Sequence, residues 1–138
     1  SATNNPNVHV QFEDWIPFHD LPDRIRQSDA CLGVFGTGEK SFRVIPNKVY
    51  QALACGKPVI TMQGDAYPKL DANTNREIYF CQAGSPESIA GSIKDVIENK
   101  KHEENITTLK GSIYNQYFSN ELVSRKLDNL LMNNKGAL

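Results

Sequence analysis

Residues 46–61 read PNKVYQALACGKPVIT, and this stretch decides the fold. Its first part is a helix over 46–55, with Val49, Ala52 and Leu53 on one face at i, i+3 and i+4. Gly56 stands just past the last periodic residue, where a helix C-terminus favours glycine. Lys57-Pro58 then opens a short apolar strand over 58–62 (PVITM). A helix that stops on glycine and gives way within a few residues to an apolar strand is one half of a strand–helix–strand unit.

The same alternation continues outward. Residues 30–35 (ACLGVF) form a nearly continuous apolar run, as in a strand buried on both faces. Residues 8–12 (VHVQF) read as a leading strand, and residues 20–28 (DLPDRIRQS) as a short helix with Asp20 as N-cap and Pro22 in its first turn. Residues 36–45 are expected to be a loop. Residues 63–75 read as irregular, with one helical turn over 67–70. Residues 78–81 are a strand. Ser85 caps a following helix, with Pro86 at its first position and Glu87 at the positive end of its dipole. Ile89, Ile93, Val96 and Ile97 give that helix a single apolar stripe. The Lys- and Glu-rich residues 98–104 read as a solvated connection, and helices over 106–117 and 121–132 follow. Ser119 caps the last helix, whose stripe is Val123, Leu127, Leu130 and Leu131.

Strand and helix in alternation predict an α/β fold, a Rossmann-like parallel sheet with helices on both faces. Four strands are visible where a doubly wound sheet has five or six. Either leading strands are missing from this chain or the sheet is small in its own right. The polar start over 1–7, without an initiator Met, suggests a linker, a domain over 8–138 and a natural chain that begins upstream.

Bulk composition narrows the functions. The 138 residues suffice for one core. Lys plus Arg is 15 against 16 for Asp plus Glu, net −1, so no cationic excess draws the chain to nucleic acid. No apolar run approaches the length of a membrane span, so no direct membrane insertion is expected. Cys31, Cys55 and Cys81 lie far apart beside apolar runs, with no CxxC or Cys/His cluster. They suit small core residues kept reduced in a cytoplasmic protein, and no metal site is expected.

In open parallel sheets ligands bind beyond the carboxyl ends of the strands. That rule points to the loop after residue 35, which carries Gly36, Thr37, Gly38, Glu39, Lys40 and Arg43, and to the helix start at Asn47 and Lys48. Glycines let the backbone approach a ligand, and a helix N-terminus with nearby cations suits a diphosphate. The competing reading is a solvated surface loop. Residues 33–41 (GVFGTGEKS) fall one residue short of a P-loop, with Glu39 where the phosphate-binding lysine belongs. Ile45-Pro46 also forces extended backbone where a P-loop helix runs. An NTPase loop is therefore not expected, and no GxGxxG follows the first strand.

Residues 46–61 resemble the donor-site signature of GT-B glycosyltransferases of the family-four type, a PxKxxE-A-x-A-x-G-K-P-V-I helix and strand. Flanking pieces agree in order: residues 15–17 (WIP) and 20–22 (DLP) before 28–30 (SDA), residues 81–90 (CQAGSPESIA), and residues 118–127 (FSNELVSRKL). The resemblance covers about 8–131. It implies the C-terminal, nucleotide-sugar-binding half of a retaining glycosyltransferase. Such an enzyme transfers a sugar to a glycan or lipid-linked acceptor, without metal or other cofactor. The acceptor site would belong to a missing N-terminal domain, so the chain alone is expected to be inactive, and the complete protein is expected in the cytoplasm or peripheral at the inner membrane face. Gln51 stands where the family carries the ribose-binding glutamate, and Arg43 where it carries an earlier acid. Glu39 is the nearest acid to that position. An amide keeps one acceptor oxygen and adds donors but loses the charge.

The carboxyl-end rule and the resemblance together give a donor-binding set of Gly36, Thr37, Gly38, Glu39, Lys40, Arg43, Asn47, Lys48 and Gln51, with no catalytic residue assigned. The rival reading is a non-catalytic α/β module that binds a nucleotide or a partner. A receiver-like signalling domain, suggested by Lys57-Pro58, lacks the acidic pair that class needs. His9, His19 and His102 have no partners at useful spacing, and Trp15 with Phe18 reads as packing. In the resembled fold the last helix crosses to the other domain, so its stripe is expected to be under-covered here and open to self-association.

Overall fold

The computed structural model describes residues 5–71, 75–103 and 113–135. The elements are α1 (Leu21–Arg26), β1 (Cys31–Leu32), α2 (Glu39–Arg43), α3 (Asn47–Ala54), β2 (Val59–Met62), β3 (Ile78–Cys81), α4 (Pro86–Glu103), a π-helical turn (Tyr114–Phe118) and α5 (Asn120–Lys135). The strands form one parallel sheet in the order β1-β2-β3, with Cys31 opposite Val59 and Val59 opposite Ile78. The chain is thus a mixed α/β fold with a small parallel sheet.

The central strand explains the sheet. All four residues of β2 are buried, as its unbroken apolar run requires for a strand covered on both faces. Val59 and Ile78 join Val49, Ala52, Leu53 and Ile113 in one cluster beneath α3. Ile25, Tyr67, Leu70 and Phe80 pack on its margin. Leu53, Val49 and Val59 are among the fully buried side chains, and each contributes roughly 1.5–3 kcal/mol by leaving water. Strand alternation turns Ile60, Met62, Tyr79 and Cys81 to the other face. There α4 lies, and Asn99 donates to Tyr79 Oη at 3.1 Å.

Local chemistry fixes the helix ends. The end of α3 is a Schellman motif: Gly56 N–H donates to Leu53 O at 3.0 Å, and Lys57 N–H to Ala52 O at 3.0 Å. Gly56 takes φ +70°, the left-handed geometry that this motif demands. At the start of α4, Ser85 Oγ accepts the Ser88 N–H at 3.2 Å. Ser119 Oγ likewise accepts the Leu122 N–H at 3.3 Å at the start of α5. Each such cap stabilises its helix by about 1 kcal/mol. Asp20 occupies the N-cap position of α1 without a side-chain capping bond, although the proline does stand in the first turn.

Several expectations are corrected. Residues 8–12 form no strand: they make no ladder, and Val8, Val10 and Phe12 are exposed. A strand exists only where its backbone joins a ladder, and the described sheet does not extend to this segment. Among the described residues the sheet accordingly has three strands rather than four. The 36–45 loop contains the short helix α2. Residues 63–75 hold a turn closed by Tyr67 N–H on Gly64 O at 3.2 Å, not a helical turn over 67–70. Residues 98–103 continue α4 instead of leaving it, because good helix formers extend a capped, packed helix. Of the helix expected over 106–117, residues 106–112 lie outside the described residues, and 114–118 form the π-helical turn.

The stripe of α4 is also divided. Val96 and Ser92 are buried and Ile89 is half-buried, whereas Ile93 is 41% and Ile97 50% exposed. The inward face is 89, 92, 96 and 99, which admits a serine and an asparagine. Ile93, Ile97 and Lys100 form the adjoining stripe, and Lys100 pairs with Asp29 just before β1. That stripe therefore looks toward the β1 side of the sheet. Leu32, in register with Ile60 on the same face, is 55% exposed. Leu32 on the sheet and Ile93 and Ile97 on α4 are thus apolar side chains left exposed.

The two sheet edges differ. On β3, the Asn75 side chain donates to Ile78 O at 2.5 Å and accepts from the N–H groups of Glu77 and Ile78 at 3.0 Å. The Asn75 side chain thus satisfies backbone groups at the start of that edge strand. The stripe of α5 is exposed, as expected: Val123, Leu127, Leu130 and Leu131 all face solvent.

Candidate functional site

Parallel strands bring three loops to one end of the sheet. The loop after β1 carries residues 33–38, that after β2 carries 63–65, and that after β3 carries 82–85. Backbone bonds tie them together. Gly84 N–H donates to Phe35 O at 3.1 Å, and Asp65 N–H donates to Phe42 O at 2.9 Å at the end of α2. Both junctions need glycine. Gly84 has φ +70°, and a Cβ there would meet Thr37 Cγ2 at 3.2 Å. A Cβ on Gly64 would stand 2.9 Å from Phe42 O. Gly36, Gly38, Gly64 and Gly84 thus stand in the loops at the carboxyl ends, here called the mouth; Gly64 and Gly84 are packed closely there, and Gly38 borders open space.

Beneath that mouth Thr61 joins β1 to β2. It is completely buried, and its hydroxyl accepts the Val34 N–H at 3.3 Å and donates to Val34 O at 3.3 Å. Tyr67 Oη lies 3.5 Å from the same oxygen, placed to donate to it. Burial pushes the Tyr67 phenol above its ordinary value, with a smaller opposing effect from the Thr61 bond. This network satisfies the buried hydroxyls and holds the ends of β1 and β2 at fixed separation.

The start of α3 faces the mouth. Its first residues, Asn47 and Lys48, have N–H groups with no acceptor inside the helix. Lys48 Nζ donates to Gly33 O at 3.3 Å, which draws the ammonium to the carboxyl end of β1. An ammonium has three donors, so one such bond leaves two. Gln51 lies one turn on and is half-buried. Lys40 is exposed on α2.

Glu39 and Arg43 pair with each other at 2.8 Å across one turn of α2, and both are largely exposed. The i, i+4 spacing of the new helix explains it. Of the sequence-predicted residues, Gly36, Thr37, Gly38, Asn47, Lys48 and Gln51 belong to the mouth and the start of α3. Lys40, Glu39 and Arg43 ride on α2, the last two engaged with each other. Gly64, Asp65 and Gly84, which form the junctions between these loops, were not singled out from the sequence. The rule that located the first loop applies equally after β2 and β3, and Gln63-Gly64-Asp65 was its legible signal.

A separate groove of about 380 Å³ lies at the outer edge of β3, bounded by Leu70, Asn75, Arg76, Asp95, Glu98 and Asn99. None of the sequence-predicted residues lines it. Among the described residues no group of three or more His, Cys, Asp and Glu is placed to hold a metal ion. All three cysteines are free thiols, Cys81 buried on β3. No helix among the described residues is long and apolar enough to cross a membrane. Compared with known proteins, the chain matches no family model, no curated protein and no solved structure.

Proposed function

We propose that this chain binds a nucleotide-diphosphate sugar, as the donor-binding half of a two-domain, retaining glycosyltransferase with a Rossmann-like C-terminal domain of the GT-B type. The observation that carries the reading is the start of α3. Two first-turn N–H groups and the Lys48 ammonium stand at the carboxyl end of β1, beneath loops built from glycine. That arrangement suits a diphosphate. As a sugar–phosphate bond breaks, negative charge develops on the leaving diphosphate. Oriented N–H groups, the helix dipole and fixed cations stabilise it without proton bookkeeping. Gln51, one turn on, offers one acceptor and two donors to a ribose.

The exposed Leu32, Ile93 and Ile97 side chains support a further covering element, as do the exposed, alternating apolar residues of the 8–12 segment. The acceptor and any group that deprotonates it belong to a second domain in this reading, so the isolated chain has no transferase activity. Titration calorimetry with UDP, GDP and ADP, without added metal, tests the proposal. Saturable binding of one of them, weakened by Lys48→Ala, is the expected result. No binding by any of the three contradicts it.

A second reading is a non-catalytic nucleotide- or partner-binding module. The Glu39–Arg43 pair and the amide at Gln51 favour it, since neither leaves a free carboxylate on α2 or α3 for the ligand. Gln51→Glu separates the two. A gain in nucleotide affinity marks a ribose clamp, and an unchanged affinity marks the module.

A further inference from the structure

The groove beside β3 holds a buried hydroxyl that the donor site does not use. Ser92 is only 6% exposed and lines the groove from the inward face of α4. Its hydroxyl makes no hydrogen bond to the described residues. No side-chain oxygen fully shut off from solvent lacks a partner among them, so this oxygen opens on the groove. A buried hydroxyl left without a protein partner is costly and calls for one from outside. The wall around it is acidic. Asp95 lies three residues on from Ser92 and Glu98 three residues further, and both line the same groove. Neither makes an ion pair or a hydrogen bond among the described residues. Against these two carboxylates the described lining sets one guanidinium, Arg76, which donates to Asn75 O at 3.1 Å.

The strand edge adds an acceptor. Val59 N–H donates to Glu77 O and Gln63 N–H to Cys81 O, so alternate residues of β3 turn their backbone groups to β2. Ile78 and Phe80 turn theirs outward. The Asn75 side chain takes those of Ile78, and Phe80 lines the groove. This lining selects by charge. An anion is repelled by it, and a neutral polyol leaves both carboxylates without a counter-charge. A calcium or magnesium ion takes about six oxygens, and among the described residues no group of three or more His, Cys, Asp and Glu is placed for one. A primary ammonium carries three donors and needs fewer acceptors. Leu70 and Ile78 give the groove apolar surface for a short carbon chain. We propose that the groove binds a small primary amine, an alkyl diamine in its simplest form, with its ammonium held at the wall of Ser92, Asp95 and Glu98. The site is separate from the start of α3 and does not rest on the donor-site reading.

The test is an amide NMR titration of the whole chain with diaminobutane, with butanediol as its uncharged counterpart and Mg²⁺ alone as the competing cation. Saturable shifts at Phe80, Ser92, Asp95 and Glu98 are expected with the diamine, and none with the diol at equal concentration. Asp95→Asn and Glu98→Gln should each weaken binding about twofold to fivefold, the worth of a solvent-exposed ion pair, and the double variant should abolish saturation. Both side chains are exposed, so these variants keep the fold, which unchanged amide positions elsewhere would verify. Ser92→Ala should weaken binding about fivefold through the lost hydrogen bond. No saturable shift with the diamine, equal shifts with the diol, or an affinity kept in the double variant overturns the proposal. Tighter binding of Mg²⁺ than of the diamine at the same amides also overturns it and makes the groove a metal site.

Discussion

Gly33 and Thr61 touch where β1 ends: a Cβ on Gly33 would stand 2.4 Å from Thr61 Oγ1 and 2.5 Å from Thr61 Cβ. Glycine is the residue that lets Thr61 bridge the two strands from a fully buried position. The bridge, in turn, ties the ends of β1 and β2 together at the base of the glycine-bearing loops.

Gly33→Ala is therefore expected to destabilise the chain by about 1–3 kcal/mol, the usual cost of overpacking a tight site. Thr61→Val removes the hydroxyl but leaves the Val34 groups and Tyr67 Oη without it. A cost of roughly 1–3 kcal/mol is expected for those unsatisfied groups. Urea denaturation of both variants measures these values, and stability unchanged in either places the bridge outside the fold's determinants.

Gly56→Ala tests the Schellman end of α3. A left-handed residue there is met by φ +70°. An L side chain is strained in that geometry, so a loss of about 1 kcal/mol is expected by the same denaturation.

The helix α4 offers a contrast between neighbours. Val96→Ala removes a buried side chain and should cost roughly 2 kcal/mol. Ile97→Lys replaces a half-exposed one and should change the stability of this chain by less than about 0.5 kcal/mol. Equal costs would mean that Leu32, Ile93 and Ile97 are covered within the chain.

Two titrations have defined signs. Lys100 bonds to Asp29 and holds its carboxyl below the ordinary value of 3.8, with a lesser pull from Lys57. A depressed carboxyl contributes stability that is present above its unfolded value and is lost as pH falls through the folded one. Carbon-detected NMR should show the Asp29 midpoint returning toward 3.8 in Lys100→Ala. Burial raises the Cys81 thiol above 9.0, so its contribution is present below that value and is lost as pH rises through the raised one. At neutral pH, Cys81 should react with an alkylating reagent more slowly than the half-buried Cys31 and Cys55, as mass spectrometry of labelled peptides would register.

The core of the fold was legible because its signals are local. The 46–61 stretch carries a periodic helix, a glycine stop and an apolar strand, and each appears within a residue or two of its reading. The same holds for residues 78–81 and the Ser85 cap. What failed depends on partners that one segment cannot reveal. Residues 8–12 have strand periodicity, yet a strand exists only where another pairs with it. Ile93 and Ile97 are as apolar as Ile89, and only the docking angle of α4 decides which of them is buried. At the site, the first loop and the start of α3 were legible from the carboxyl-end rule. The Glu39–Arg43 pair required knowing that α2 is helical, and the Asp65–Phe42 backbone bond joins residues distant in sequence.

The central claim is that the mouth at the start of α3 binds a nucleoside diphosphate. The most direct measurement is a titration of the ¹⁵N-labelled chain with UDP, GDP and ADP, followed by two-dimensional amide NMR. Saturable shifts are expected for one nucleotide, concentrated at Gly36, Gly38, Asn47, Lys48, Gly64 and Gly84 and reduced in Lys48→Ala. No shifts with any nucleotide, or shifts confined to the groove of Arg76, Asp95 and Glu98 beside β3, would contradict it.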